Sequence, residues 1–559
     1  MIGLVAVTAA GRQAARELAG AWPDETQMYG GAAADAVRRA WAECDALVCF
    51  LATGATVRLL APLLADKQRD PGVVAVDEGR RFAVALTGGH GGGANALANR
   101  VAAVLGAEPV VTTATDATGL PGLDTLGWPV EGAVAAVSRA VLDGSPVRLE
   151  SAQTWPLPPL PPNVSADAHD ATHRIVLSDD ARVVPDERTV VLRPPSLVVG
   201  VGAARGVAAE EVTTLVDAAL AEASLSPASV RCVATVDVKA DEAGLLEAAH
   251  RRGWPVVTRP TSELAQVDVP NPSDVVRAEV GTPSVAEASA AYGGGELVVL
   301  KRKSAMATVA VARHAPRGGL AVIGLGPGSR DLLPPRAVDE LRRASVVVGL
   351  DQYVDQVRDL LRPGTRVLVS GLGDEEARAR SAVDEARRGH AVALIGSGDA
   401  GVYAMASPAL EFAGTDIDVV GVPGVTAALA ASALLGAPLG HDHAYVSLSD
   451  LHTPWEAIER RVTAAAEGDF VVAFYNPRSR GRDWQLPKAL AILSAHRRPD
   501  TPVGLVREAG RPEESVTVTA LGDLDPDDVD MRTVVLVGST NTTVVAGRMV
   551  TPRGYRWLS

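Results

Sequence analysis

The chain has few cysteines, few aromatic residues and no long apolar run, and each shortage excludes a class of protein. Cys44, Cys49 and Cys232 are too few and too scattered for a disulfide framework, a zinc site or an iron–sulfur cluster. No stretch of about 18 apolar residues occurs, and the N-terminus lacks a basic region followed by an apolar core. The sequence therefore predicts a cytoplasmic protein with no membrane span and no metal ligands of its own.

Charge and composition narrow the class further. Acidic residues outnumber basic ones by 67 to 53, a net charge of −14, which argues against nonspecific nucleic-acid binding. Hydrophobic residues make up 47% of the chain and aromatic residues only 4%, as in compact α/β proteins rich in alanine and valine. At roughly 150 residues per domain, 559 residues allow three or four domains.

A glycine-rich loop in the stretch 320–329 is the strongest local signal. Four apolar residues predict a buried strand, and Gly324, Gly326 and Gly328 then allow a tight turn and close approach to a ligand. Pro327 stiffens the loop, and the next helix is expected only near residues 334 and 335. This spacing disfavours a pyrophosphate at a helix N-terminus and suits an adenosyl sulfonium, although a ligand-free glycine turn remains an alternative.

Two further segments repeat the pattern of a strand followed by a turn of small residues. Residues 392–405 form one and carry Asp399 in the turn, and residues 419–433 form the other, which continues into an alanine-rich helix. Three such strand ends in one domain predict a shared cleft.

Four motifs in the C-terminal half carry a resemblance to a known family. They are Gly-Ala-Pro-Leu-Gly-His-Asp-His (436–443), Ser-Leu-Ser-Asp-Leu-His-Thr-Pro-Trp-Glu (447–456), Phe-Tyr-Asn-Pro-Arg-Ser (474–479) and Met-Val-Thr-Pro-Arg-Gly-Tyr (549–555). Residues 318–558 resemble the S-adenosylmethionine-dependent tetrapyrrole methylases, in particular the C17-methyltransferases that act on precorrin-3B or cobalt-factor III in cobalamin synthesis. The resemblance implies a first lobe at 318–437, a second at 438–559, the cofactor between them, and a homodimer through these lobes.

The resemblance also implies the site residues. The cofactor-binding set is Gly324, Gly326, Pro327, Gly328, Ser397, Gly398, Asp399, Val402, Tyr403, Thr426 and Ala427 in the first lobe, and Tyr475, Asn476, Glu508, Ala509 and Thr533 in the second. Arg478, Arg480 and Arg482 are candidates to meet substrate carboxylates. Asp450, His452, His441 and His443 are candidates to accept the proton released during ring contraction. Spacing alone favours Asp399 as a turn residue that closes its loop and Tyr475 as a packed aromatic.

The N-terminal region, residues 1–150, alternates apolar strands with helical stretches and predicts a small three-layer α/β domain. Polar residues cluster after its strands, namely Arg58, Lys67, Asp77, Glu78 and His90. A histidine among glycines after a strand is available as an acid, a base or an anion ligand, or is simply solvated.

These strand ends resemble the N-terminal domain of cobalt-precorrin-5A hydrolase. The runs that carry the resemblance are 52–71, 77–79 and Leu-Thr-Gly-Gly-His-Gly-Gly-Gly-Ala-Asn (86–95). That family opens a δ-lactone on the macrocycle and releases a two-carbon fragment as acetaldehyde. The chemistry needs a base, for which His90, Asp77 or Glu78 are candidates, and a cation for the oxyanion or a propionate, for which Lys67 or Arg58 are candidates.

Two more regions complete the chain. Residues 151–196 contain Trp-Pro-Leu-Pro-Pro-Leu-Pro-Pro and predict a linker or reduced middle domain with at most one strand pair. Residues 197–315 resemble the C-terminal domain of the same hydrolase family, in which Lys239 and Glu242 belong to the shared motif and are candidates for substrate binding.

The whole chain is therefore expected to be a multidomain α/β protein, with two small α/β units followed by a two-lobed methylase fold. The main hypothesis is a bifunctional enzyme of corrin-ring synthesis. An alternative keeps only the methyltransferase as an enzyme and makes residues 1–315 a noncatalytic corrinoid-binding or handover module. A third, a methylase of another substrate, is disfavoured by 447–456 and 474–479. Cobalt-containing and metal-free substrates both remain open.

Overall fold

The computed structural model describes residues 1–66, 69–89, 92–112, 122–123, 126–479 and 481–554. The predictions made for Lys67, His90 and Arg480 fall outside these residues. The chain divides into two compact units. Unit 1 comprises Met1–Gln153 and Leu160–Pro316, and unit 2 comprises Thr154–Pro159 and Arg317–Ser559. The short segment Thr154–Pro159 packs into unit 2 so closely that a Cβ atom on Gly389 would lie 2.2 Å from the carbonyl oxygen of Thr154.

The first sheet of unit 1 confirms the predicted α/β character of the N-terminal region. Its strands are β1 (Ile2–Ala6), β2 (Thr26–Tyr29), β3 (Ala46–Phe50), β4 (Gly72–Val76), β5 (Phe82–Thr87) and β6 (Glu108–Val110), in the order β2-β1-β3-β4-β5-β6. The helices are α1 (Ala9–Ala21), α2 (Ala33–Glu43), α3 (Thr53–Leu60) and α4 (Ala94–Leu105). Neighbouring strands run parallel except β4 and β5, which are antiparallel. Strands β1 and β4 are buried along their whole length, as parallel strands covered on both faces require.

The region expected to be a linker contributes strands to a second sheet. Its strands are β7 (Val130–Gly132), β8 (Val147–Ser151), β9 (Val164–Ser165), β10 (His173–Leu177) and β11 (Thr189–Leu192), ordered β7-β11-β10-β8-β9, with helix α5 (Val134–Leu142). Only β9, β10 and β11 lie in the region 151–196, where β10 and β11 form the one strand pair that was predicted. Strand β7 and nearly all of β8 come from the region before it, so the sheet as a whole was not predicted. These strands are short and the proline-rich run separates β8 from β9, so no continuous pattern marks them in the sequence. Buried residues such as Ile175 and Val190 supply the core.

Arg193 holds this second sheet together. Its guanidinium is 3% exposed, makes a two-pronged ion pair with Glu131, and donates to the carbonyl oxygens of Ser178, Asp180 and Val183. We expect Arg193→Met to destabilise unit 1 by roughly 2–4 kcal/mol, because it leaves buried carbonyls and a carboxylate without donors. Denaturant unfolding measures this. Arg182→Met, which removes an exposed ion pair, is the control, and equal effects of the two variants contradict the prediction.

The third sheet of unit 1 lies in the region 197–315. Its strands are β12 (Leu197–Ala203), β13 (Val230–Val236), β14 (Val256–Arg259), β15 (Glu296–Lys303) and β16 (Ala307–Arg313), ordered β14-β13-β12-β16-β15. The helices are α6 (Ala209–Glu222), α7 (Ala243–Arg251), α8 (Thr261–Leu264), α9 (Asp274–Val280) and α10 (Val285–Ala291). Strands β12, β13 and β14 are parallel, and β16 and β15 extend the sheet antiparallel.

The first lobe of unit 2 is built on an all-parallel sheet. Its strands are β17 (Gly319–Gly324), β18 (Val346–Leu350), β19 (Arg366–Ser370), β20 (Ala391–Gly396) and β21 (Asp418–Val422), ordered β19-β18-β20-β17-β21. The helices are α11 (Pro335–Arg343), α12 (Asp351–Val357), α13 (Glu375–Arg387), α14 (Ala406–Phe412) and α15 (Ala427–Leu435). The carboxyl ends of all five strands therefore lie at the same edge of the sheet. Helix α11 begins where the two prolines predict it.

The second lobe carries a mixed sheet. Its strands are β23 (His443–Ser447), β24 (Val471–Tyr475), β25 (Pro502–Arg507), β26 (Ser515–Ala520) and β27 (Thr533–Val537), ordered β23-β24-β27-β25-β26, with helices α16 (Trp455–Glu467) and α17 (Gln485–Ser494). A small sheet joins β22 (Gly436–Ala437), β28 (Thr543–Val545) and β29 (Arg548–Val550). Among the described residues, no helix combines the length and apolar character needed to cross a membrane.

Candidate cofactor and substrate site

Three strand ends of the first lobe converge, as the sequence predicts. A Cβ atom on Gly324, at the end of β17, would lie 2.6 Å from the carbonyl oxygen of Gly398 and 2.8 Å from the amide nitrogen of Gly424. The loops after β17 and β20 are also hydrogen-bonded to each other, because Gly326 N donates to Gly398 O over 3.0 Å and Gly398 N donates to Gly326 O over 2.7 Å. The backbone itself therefore forms the floor of the cleft, and side chains are excluded from it.

The loop that follows β17 is held by the second lobe. Gly328 has a φ of 144°, and a Cβ atom there would lie 2.7 Å from Cγ of Arg511. The Nε atom of Arg511 donates a hydrogen bond to the carbonyl oxygen of Pro327 over 3.1 Å. Pro327 thus turns its carbonyl towards the second lobe, and only glycine at 328 lets the arginine pass so close.

Asp399 organises the loop after β20. One carboxylate oxygen accepts from Gly401 N at 2.8 Å and the other from Gly424 N at 3.0 Å. The carboxylate thus joins the β20 loop to the β21 loop, which is the turn role left open in the sequence. Ser397 lies just before it, with its hydroxyl 3.5 Å from Gly326 O, and the half-buried Val402 follows.

Three tyrosines form the wall between the lobes. The Tyr475 ring lies 5.3 Å from that of Tyr403 and 5.8 Å from that of Tyr445, measured between centroids. The Tyr403 hydroxyl donates to Tyr445 O over 2.8 Å. Desolvation by burial raises the pKa of all three phenols, so they remain neutral at physiological pH. Tyr445 was missed by sequence reasoning; its signal is the pairing of β23 with β24, which sets Tyr445 beside the strand that ends in Tyr475.

Tyr475 also reaches the first turn of α15. Its hydroxyl accepts a hydrogen bond from Ala428 N over 2.9 Å and pairs with Oγ1 of Thr426 at 2.5 Å. Ala427 begins this helix, and Thr426, its N-cap residue, makes no cap of its own. A tyrosine of the second lobe thus accepts a hydrogen bond from the first turn of a helix in the first lobe, where backbone N–H groups have no partner within the helix.

Strained backbone marks three of the predicted cofactor residues. Tyr403, Asn476 and Glu508 have φ values of 52°, 49° and 51°, in the left-handed region that non-glycine residues rarely adopt. Such residues concentrate at binding and catalytic sites, where the surrounding structure maintains the strain. Asn476 is further fixed by a hydrogen bond from its amide nitrogen to the Ser447 hydroxyl at 3.1 Å.

The remaining predicted cofactor residues of the second lobe are Glu508, Ala509 and Thr533. Glu508 forms an ion pair with Arg532, which lowers the pKa of the Glu508 carboxyl. Ala509 is buried, and the Thr533 hydroxyl donates to Asp530 at 2.8 Å. The side chains of Glu508 and Thr533 are therefore engaged within the lobe, which leaves backbone groups to face a ligand.

The proton-acceptor candidates fall at two ends of β23. His441 precedes the strand and His443 begins it, whereas Asp450 and His452 follow its end. Because β24 is parallel to β23, Asp450 and His452 share an edge with Asn476. Asp450 accepts a hydrogen bond from Nε2 of Gln485 at 2.9 Å, and His452 is exposed. The structure therefore keeps Asp450 and His452 beside the cleft and removes the other two histidines from it.

Of the three arginines predicted to meet substrate carboxylates, the two that the structure describes lie in different surroundings. Arg478 donates to Pro526 O over 2.8 Å and pairs with Asp527. Arg482 is 9% exposed and lies under the surface. A substrate carboxylate would therefore compete with Asp527 for Arg478.

In the N-terminal domain, Asp77 and Glu78 lie at one end of β4 and the described part of the glycine-rich loop packs at the other. Asp77 follows the strand and accepts from Phe82 N at 2.7 Å and Gly79 N at 3.1 Å, while Glu78 accepts from the Thr8 hydroxyl at 3.0 Å. Gly72 begins the strand, and a Cβ atom on it would lie 2.0 Å from Gly92 O. The glycine-rich loop thus packs at the far end because β5 runs antiparallel. Arg58 is exposed on α3.

The other two candidates of unit 1 follow β13. Glu242 is buried and accepts a hydrogen bond from Gly206 N at 2.9 Å, which ties the loops after β12 and β13 together. Lys239 is half-buried in the turn between them. The three cysteines are buried, and burial raises the pKa of the Cys49 thiol to about 12, as expected of structural thiols. In the described part of the chain, no three His, Cys, Asp or Glu side chains are grouped to hold a metal.

Comparison with known proteins agrees with this geometry. Residues 319–525 match the family described as Tetrapyrrole (Corrin/Porphyrin) Methylases, 197–312 match Cobalamin synthesis G C-terminus, and 35–116 match Cobalamin synthesis G N-terminal. A probable cobalt-factor III C(17)-methyltransferase of Salmonella typhimurium is 47% identical over 239 residues, which are 42% of this chain and 99% of that protein. A precorrin-3B C(17)-methyltransferase of Sinorhizobium sp is 39% identical over 253 residues, 43% of this chain and 99% of that protein.

Among solved structures, the methyltransferase CobJ is 40% identical, with 42% of this chain and all of that chain covered and a TM-score of 0.41. The resemblances read from the sequence are thus confirmed on both halves of the chain. By its C-terminal half the chain belongs to the tetrapyrrole methylases, S-adenosylmethionine-dependent methyltransferases of corrin and porphyrin rings, and by its N-terminal half it carries both cobalamin synthesis G domains.

Proposed function

We propose that unit 2 transfers a methyl group to C17 of precorrin-3B or cobalt-factor III and thereby contracts the ring. The observation that carries this proposal is the convergence of three parallel strand ends at Gly324, Gly398 and Gly424, walled by Tyr403 and Tyr475. The two curated relatives named for this reaction match unit 2 along nearly their whole length.

The cleft fits S-adenosylmethionine. Its floor is backbone, which suits a ligand that is read through amide and carbonyl groups, and the exposed Tyr403 ring offers an electron-rich face to a sulfonium. When bound, S-adenosylmethionine supplies an electrophilic methyl group. In-line displacement then requires alignment more than acid or base help, and the glycine loops and strained residues provide a rigid frame for it.

Asp450 is the residue we propose to accept the hydroxyl proton that ring contraction releases. It lies at the cleft edge of β23, and Gln485 orients its carboxylate. His452 lies two residues further on and is exposed, so it can pass the proton to solvent.

The direct experiment incubates the full chain with S-adenosylmethionine and either precorrin-3B or cobalt-factor III, and follows methyl incorporation by mass spectrometry. Turnover of one ring form alone identifies the substrate. If neither ring gains a methyl group, the proposed function of unit 2 is wrong.

Tyr475→Phe tests the wall between the lobes. The variant loses the hydroxyl that pairs with Thr426 and accepts from Ala428 N, so the start of α15 is no longer satisfied. We expect the Kd of S-adenosylmethionine to rise about tenfold, in line with one or two lost hydrogen bonds. Isothermal titration calorimetry measures the Kd. Tyr292→Phe, which removes a hydroxyl at the end of α10 in unit 1, serves as the control and should bind as the wild type does.

For unit 1 we propose hydrolytic opening of the cobalt-precorrin-5A lactone with release of acetaldehyde. The matches to both cobalamin synthesis G domains support it. One observation favours the handover alternative: the carboxylates of Asp77, Glu78 and Glu242 are all engaged in hydrogen bonds within the unit. Trapping acetaldehyde from the full chain and cobalt-precorrin-5A decides between them, since binding without acetaldehyde identifies a handover module.

The organisation of the chain is proposed on the same basis. We propose domain boundaries near residues 129, 196, 316 and 437, a homodimer through the methylase lobes, and a cytoplasmic location, where S-adenosylmethionine is made. The first boundary is moved from the expected 150, because a boundary there would cut β8. Light scattering on the purified chain tests the dimer, and a mass of one chain excludes it.

A further inference from the structure

Two buried polar groups beside the cleft have no partner among the described residues. Arg482 is 9% exposed and Gln485 is 1% exposed. Nη1 of Arg482 and Oε1 of Gln485 are inaccessible to solvent and make no hydrogen bond with any described residue. A buried polar atom left unpaired is costly, and more so on a charged group. A buried polar group without a partner is therefore a candidate to bind a ligand.

Asp450 connects the two residues. Gln485 donates from Nε2 to Asp450, and because a carboxylate can only accept, this contact assigns the nitrogen and leaves Oε1 as the free end. Desolvation lowers the pKa of Arg482 while the nearby charge of Asp450 raises it, which places the guanidinium within electrostatic reach of that carboxylate. A donor, an acceptor and a carboxylate are thus grouped at the start of α17.

The surface around this group is apolar. Leu451, next to Asp450, is 72% exposed; Trp484, next to Gln485, is 39% exposed; and Met531, whose sulfur lies 3.5 Å from Nη2 of Arg482, is 50% exposed. Trp484 packs edge-on against Trp455 with centroids 4.9 Å apart, which holds its ring in place. Exposed apolar side chains around buried polar atoms suit a flat, largely apolar ligand with one polar group pointing inward.

We propose that Arg482, Gln485 and Asp450 form a subsite for a neutral hydroxyl group of the ring substrate. The inference rests on the proposed methyltransferase function and specifies which substituent this part of the cleft binds. A hydroxyl accepts from Nη1 of Arg482 and donates its one proton to Oε1 of Gln485, so it satisfies both unpaired atoms. A carboxylate of the ring does not, because it cannot donate to Gln485 and its charge would oppose that of Asp450.

Arg482→Met and Gln485→Leu test the subsite in the full chain. We expect each to raise the KM for the ring substrate about tenfold, the effect of one hydrogen bond, with the Kd of S-adenosylmethionine unchanged. Because Arg482→Met also removes an unpaired buried charge, its Tm should equal or exceed that of the wild type. Arg498→Met, which changes an exposed arginine of the same lobe, is the control and should leave KM unchanged.

The inference is overturned by unchanged KM in both Arg482→Met and Gln485→Leu, or by a Tm that falls together with activity. Methyl transfer by the wild type with precorrin-3B or cobalt-factor III is measured in parallel, so failure of the proposed function is seen separately.

Discussion

Gly424→Ala should abolish cofactor binding by unit 2. An alanine Cβ at this position would lie 2.2 Å from Gly398 O and 2.7 Å from the carbonyl carbon of Gly324, so the added methyl group can fit only if the three converging loops separate. Neither neighbour is a flexible side chain, and backbone cannot yield cheaply. We expect the Kd of S-adenosylmethionine to rise at least about 100-fold, roughly 3 kcal/mol, with methyl transfer lost in parallel.

Gly421→Ala is the matched control for this variant. Gly421 lies on β21 three residues earlier, and a Cβ atom built on it has no neighbour within 4 Å. The same chemical change therefore costs nothing there, and the control should bind the cofactor normally. If Gly424→Ala and Gly421→Ala bind S-adenosylmethionine with the same Kd, the convergence of the three loops is not the cofactor-binding site. Far-ultraviolet circular dichroism of both proteins shows whether the fold is retained.

Asp450→Asn should lower kcat by about 100-fold or more, the contribution typical of a positioned proton acceptor. An asparagine oxygen can still accept from Gln485, so the packing around position 450 is conserved while the basic group is lost. The Kd of S-adenosylmethionine should not change, because the role we propose for Asp450 is towards the ring substrate and not the cofactor. Stopped assays analysed by mass spectrometry report both the methyl group and the state of the ring.

Asp523→Asn, at an exposed position of the same lobe, is the control for Asp450→Asn. A kcat in Asp450→Asn equal to that of the control would exclude Asp450 as the proton acceptor. His452, the other candidate at this edge, would then be tested by His452→Gln.

Sequence reasoning succeeds where a local pattern and a local structure coincide. Strands β17, β20 and β21 are largely apolar runs that lead into glycine or proline, so their positions and the shared cleft could be predicted. The second sheet of unit 1 could not, because its strands are as short as two residues and pair across a proline-rich run. Hydrophobic patterning detects strands of ordinary length and says little about such short ones.

The candidate site shows the same limit at the level of side chains. Asp77 and the glycine-rich loop are separated because β5 turns antiparallel to β4, and nothing local in the sequence states that direction. Tyr445 joins the tyrosine wall through the pairing of β23 with β24, and Gln485 contacts Asp450 from the start of α17. Neither residue is part of a family motif, although Tyr445 lies between two of them in the chain. Tyr403, Asn476 and Glu508 could be assigned from the resemblance, but their strained backbone is visible only in three dimensions.

The segment Thr154–Pro159 has a consequence for genetics. It lies in the sequence between parts of unit 1 but belongs to unit 2, where it packs against Gly389. No single cut in the gene therefore separates unit 1 from unit 2, and an open reading frame that starts at residue 317 would encode unit 2 without this segment. In a scan of missense variants, substitutions at 154–159 should share the phenotype of methylase mutations, although both flanking stretches of sequence belong to the other unit.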